Sequence, residues 1–114
     1  MSDTPNNSQE QFKIHADILA KFFSGLSHPI RYRIVATLAQ KEMTVNEIVG
    51  ELGCSQSQIS NHLACLKWCG YVSSRQEGRS VYYQVTDKRI LDILELAKRV
   101  VSDNAKHISS CTRM

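Results

Sequence analysis

No stretch of this 114-residue chain approaches the roughly 18 consecutive apolar residues of a membrane-spanning helix, so no membrane association is expected. Its start, MSDTPNNSQE, lacks the apolar core of a secretory signal, and a cytoplasmic protein is expected. Internal repeats, long linkers and low-complexity tracts are missing too, which leaves one domain built around a single core. There is no glycine-rich phosphate loop, and no acid stands in a motif that could orient a Cys–His nucleophilic pair. An enzyme is therefore not expected. Charge of one sign does not dominate: the net charge of +3 permits a nucleic-acid partner without demanding one. Cysteines are few but present. In a reducing cytoplasm the four are expected as thiols, and their crowding at Cys54, Cys65 and Cys69, with Cys111 far away, is unlike a spread disulfide framework. Metal binding, redox chemistry and plain burial all stay open for them.

What is present reads as a series of short elements. Residues 1–8 are expected to be a loose polar arm, 9–106 the folded domain, and 107–114 a tail that carries Cys111. Between Gln9 and Gly25 the residues Ile14, Ile18, Leu19, Phe22 and Phe23 recur at helical spacing. SHPIRYRIVATLAQ starts a second helix with Pro29 at its first position and Ile30, Ile34, Val35 and Leu38 as its stripe. Thr44 and Glu47 form a capping box ahead of a helix that stops at Gly53, and Ser55 with Gln58 forms another after a tight turn. Two short capped helices joined in this way make a helix-turn-helix. Residues 71–86 then alternate with a period of two, with a hairpin tip at Glu77–Gly78, which adds a wing. A long helix from Asp87 to about His107 closes the chain. Its apolar arc, Ile90 to Val101, is wider than one small domain needs, and dimerisation is expected. The expected fold is mainly α with a β-hairpin wing: a homodimeric winged helix-turn-helix.

On the second helix of the motif, successive residues turn by about 100°. Ile59, Leu63 and Leu66 form the packing stripe, and Ser57, Ser60, Asn61 and Ala64 lie broadly opposite. Small and amide side chains near a helix start suit a major groove, and Gln56, Gln58 and His62 stand beside them. Arg75 and Arg79 bracket the wing tip, where cations reach phosphates or the minor groove. DNA binding is expected through these eight residues other than Ala64 and the stripe: Gln56, Ser57, Gln58, Ser60, Asn61, His62, Arg75 and Arg79. Cys65 and Cys69 fall on neither face. At i, i+4 their Cβ atoms are expected about 5–6 Å apart on one flank, near enough for two sulfurs to share a soft ion.

HPIRYRIVATL, SQSQISNHLACLKWCGYV and EGRSVYYQV resemble the ArsR/SmtB family of winged-helix metalloregulatory repressors over roughly residues 15–105. The resemblance implies a homodimer joined through the first and last helices and bound to double-stranded operator DNA with dyad symmetry. It also implies release by an inducer metal. A Cys-x-Cys pair on the helix before the turn would need thiols near Thr44–Val45–Asn46, and none is there. The Asp/His/Glu site of the zinc sensors on the last helix is not matched either. NHLACLKWCG resembles instead the CmtR-like cadmium/lead branch, which implies Cys65 and Cys69 as metal ligands with Cys111 as a third. Three thiolates favour a soft ion, Cd2+ or Pb2+ first and Hg2+ also, over hard divalent ions. Trivalent arsenic is a further candidate on the same cysteines. A thiol-oxidation switch is the competing reading. Cys65 and Cys69 are poorly placed for a mutual disulfide, which needs Cβ atoms about 3.8 Å apart, and Cys69 with Cys111 is the better pair.

Overall fold

The computed structural model describes residues 5–111, with side chains from residue 15 onward. The order is α1 (Pro5–Gly25), α2 (Pro29–Leu38), α3 (Val45–Leu52), α4 (Gln56–Trp68), β1 (Val72–Glu77), β2 (Ser80–Val85), α5 (Lys88–Asp103) and α6 (Ala105–Ser109). Local chemistry sets most of the boundaries. Pro29 opens α2, where the Ile30 N–H donates to Nδ1 of the cap residue His28 at 3.1 Å. Both expected capping boxes close: Thr44 with Glu47 on α3, Ser55 with Gln58 on α4. Gly53 ends α3 at φ 73°, a left-handed stop that costs a glycine little. Asp87 caps α5 by accepting from the Arg89 N–H at 2.9 Å.

The core lies where α2, α3 and α4 meet the base of the wing. Ile34, Val35, Ile48, Ile59, Leu63 and Leu66 are all but sealed from solvent, and burying each such side chain stabilises by about 1.5–3 kcal/mol. The expected stripes of α2 and α4 thus face inward, with Ile30 only half-buried. From α5, Ile90 enters this core and Leu91 and Leu94 pack against it.

The wing is an antiparallel pair running in register from Val72↔Val85 to Glu77↔Ser80. Its turn is therefore Gly78–Arg79, one residue later than the sequence suggested. A positive φ of 63° at Gly78, with none at Arg79, is the pattern of a type II′ turn. Arg79 consequently sits in the tip itself, while Arg75 lies back on β1. Met43 and Tyr83 exchange two backbone hydrogen bonds, of 3.1 and 2.8 Å, which hold β2 to the α2–α3 connection.

Three boundaries differ from expectation. α1 begins at Pro5, inside the stretch assigned to the polar arm, because proline is tolerated in the first helical turn; residues 1–4 lie outside the described residues. The expected long last helix breaks at Asn104, whose φ of −123° leaves the helical region while its side-chain amide donates to the Val100 carbonyl at 3.0 Å. A side chain that competes for a backbone carbonyl in this way ends helices. The division drawn between residues 106 and 107 accordingly falls inside α6.

Candidate nucleic-acid interface and thiol site

The eight residues expected to meet DNA separate into two groups. Gln56, Ser57 and Asn61 are exposed on the first turns of α4, and Ser60 is half-buried beside them. Arg79, at the wing tip, lines an open groove of about 260 Å³ together with Gln56, Thr44 and Asn46. Gln56 and Arg79 thus face one groove between helix start and wing, with Val45 and Val81 also in its lining.

The other three are already committed within the chain. Gln58 closes the capping box, accepting from the Ser55 N–H at 3.3 Å. His62 is half-buried, and its Nδ1 accepts from Arg31 Nε at 3.2 Å. Arg75 holds Glu42 through Nε and Nη2, donates from Nη1 to Glu77 at 2.7 Å, and stacks 4.9 Å above the centre of the Tyr82 ring. The carboxylate bonds hold the Arg75 proton more tightly than usual, and the same contact lowers the Glu42 carboxyl below its ordinary range.

Toward the end of α4 the surroundings change. Cys65 is half-buried and Cys69, the C-terminal cap, is exposed; both are free thiols. Desolvation pushes the Cys69 thiol up, and the neighbouring Cys65 pushes it further while Arg31 pulls the other way. The His28 and His62 rings lie 4.4 Å apart. Burial, then His28, then Arg31 hold His62 below its usual value. Tyr71, directly after the helix, donates its hydroxyl to the Phe22 carbonyl, and its ring rests on the backbone of Gly25 at the end of α1. A thiol pair, two imidazoles and a guanidinium therefore surround the junction of α1, α2 and α4.

Cys111 stays outside that junction. It is exposed beyond α6, and among the described residues no three Cys, His, Asp or Glu side chains form a metal-ready group. Cys54 is half-buried, packs against the core, and has its sulfur 3.9 Å from the Leu52 carbonyl oxygen. Neither Arg31 nor Glu42 was singled out from the sequence. Both act on residues more than thirty positions away, and no local pattern marks such a pairing.

Residues 28–74 match the family described as "Bacterial regulatory protein, arsR family". The chain is 40% identical over 100 residues to the "Probable mercury resistance operon repressor" of Streptomyces lividans, covering 88% of this chain and 80% of that one. It is 35% identical over 83 residues to the "HTH-type transcriptional regulator CmtR" of Mycobacterium bovis, covering 73% and 70%. Among solved structures, the "homodimeric winged helix-turn-helix DNA-binding domain" of a Mycobacterium bovis protein superposes with a TM-score of 0.75 at 25% identity, over 94% of this chain and 95% of that one. The chain belongs to the ArsR family of bacterial regulators: it is a winged helix-turn-helix DNA-binding transcriptional regulator and not an enzyme.

Proposed function

We propose that this chain is a dimeric repressor that a soft, thiophilic metal ion releases from a dyad-symmetric operator. The observation that carries this reading is the thiol pair of Cys65 and Cys69 at the far end of the helix whose start faces the DNA groove. The donors fit such an ion: thiolates take soft metals, and among the described residues no carboxylate joins the two thiols in a metal-ready group that would favour a hard one. Cys65 and Cys69 would hold the metal, which when bound would supply a divalent centre shared by both thiolates. The chain's part is to give up both thiol protons and to transmit the locked flank to the helix start. Mercury, satisfied by two thiolates in a line, is placed first, and the mercury-operon relative supports that order. Cadmium and lead need a third thiolate, for which Cys111 of the partner subunit is the candidate.

Dimerisation has its own support. Ile18 and Phe23 on α1 and Leu96 and Val100 on α5 are each more than half exposed. The radius of gyration, 17.4 Å, far exceeds the roughly 13 Å of a compact domain of this length. Leu94 packs on the core, so Leu96→Glu is the cleaner test of the dimer and should give a monomer in sedimentation experiments. The oxidation reading is weaker, because an oxidant needs a thiol already ionised and the Cys69 thiol is pushed up; a metal expels the proton itself.

The test is a titration of the protein on its promoter DNA with Hg2+, Cd2+ and Pb2+, following anisotropy and thiolate-to-metal charge-transfer absorption together. Release by mercury in both wild type and Cys111→Ser, with cadmium and lead release lost in Cys111→Ser, supports the reading. Release by peroxide with no metal absorption sinks it.

A further inference from the structure

Arg75 was expected beside the wing tip, in reach of phosphates or the minor groove. Its surroundings give it another task. The residue stands on β1 opposite Tyr82. Its side chain runs across the Tyr82 ring to reach Glu42, which precedes Met43, the residue bonded to the opposite edge of β2 at Tyr83. The guanidinium thus straps β1, β2 and the α2–α3 connection together. All three of its nitrogens are engaged, by Glu42 and by Glu77. One cation between two carboxylates leaves the cluster net negative, which repels phosphate.

We propose that Arg75 is a positioning residue rather than a DNA contact: with Glu42 it fixes the wing's angle on the body, and so fixes where Arg79 stands across the groove from Gln56. A two-stranded ribbon alone is marginally stable, and the Met43–Tyr83 bridge gives it one line of attachment about which it can pivot. The strap supplies a second line on the other side of β2. The bidentate fork and the ring contact need arginine in particular, because lysine offers a point charge without the plane.

A duplex selected from random sequence by the wild-type protein, followed by anisotropy over a series of KCl concentrations, tests the assignment. Glu42→Gln and Arg75→Lys should each weaken binding about three- to tenfold, with the salt slope unchanged. Melting temperatures should stay within a few degrees of wild type, since exposed ion pairs contribute little to stability. Arg79→Gln is the contrasting arm and should flatten the slope by about 0.9, one phosphate's worth. The proposal is overturned if Glu42→Gln leaves binding unchanged or tightens it, as freeing a DNA-contacting arginine would. It is equally overturned if Arg75→Gln flattens the slope as Arg79→Gln does. An unchanged slope for Arg79→Gln refutes the Arg79 contact, and Glu42→Gln and Arg75→Lys then decide the strap by themselves.

Discussion

At its N-terminal end α4 holds Gln56, Ser57 and Asn61 clear of the protein, behind a closed Ser55–Gln58 capping box. From the next residue onward the same helix presses His62 against Arg31 and His28 and, over its last turns, sets Cys65 and Cys69 side by side. At the first end the backbone is fixed and these side chains are exposed; at the second His62 is already bonded and the two thiols adjoin each other. A reading surface needs the former, because ordered backbone lowers the entropy lost on contact. A switch needs the latter, because a ligand moves an equilibrium only by what it binds differently in the two states.

The strongest way to break the contrast is to remove the switch alone. Cys65→Ser should still repress but lose metal-induced release, a coupling of about 1–3 kcal/mol or roughly 5–150-fold in operator affinity. Release at the wild-type mercury concentration would place the metal elsewhere. The converse variant, Asn61→Ala, removes a reading contact of about 1–3 kcal/mol at most and should leave the metal absorption spectrum unchanged. Altered metal binding in that variant would mean that the two ends are not separable.

Ser55→Ala loosens the scaffold of the reading end. Loss of the cap should cost about 1 kcal/mol and lower the melting temperature by on the order of 4–8 °C. A variant that melts with the wild type would show the box to be ornamental. The smallest effect sharpens the comparison at the switch end. His62 is held below its usual value, so as the pH falls through about 6.5 the unfolded chain takes the proton first. Stability from this residue is therefore full above that pH and declines below it, until the folded imidazole charges as well. His62→Gln should flatten the dependence of melting temperature on pH between about 7 and 5; an identical curve would remove His62 from the account.

How much of this was legible in the sequence depended on distance along the chain. The capping boxes at Thr44–Glu47 and Ser55–Gln58, the Gly53 stop and the stripe of Ile59, Leu63 and Leu66 are written within a few residues, and the structure keeps all of them. The hairpin was legible as well, but its turn lies one residue further on. What was not legible is non-local. Nothing near His62 announces Arg31, and nothing near Arg75 announces Glu42, so two side chains assigned to DNA prove to be bonded within the protein. The end of α5 was missed for a different reason: an apolar period continues past Asn104 in the sequence, and one amide bonded back to Val100 interrupts it.

Gly25 carries no chemistry, yet a methyl group there would lie 2.7 Å from Cε2 of Tyr71 and 2.8 Å from its Cζ, far inside contact distance. The tyrosine that follows the recognition helix is thus seated on bare backbone at the foot of α1, a close approach only glycine allows. In the dimer proposed above, that seat would help set how far each recognition helix stands from the twofold axis. Two half-sites about one turn of DNA apart leave little latitude in that separation. Gly25 is accordingly a spacer gauge. One added carbon at this position displaces the Tyr71 ring, and in the proposed dimer that changes the spacing between the two recognition helices.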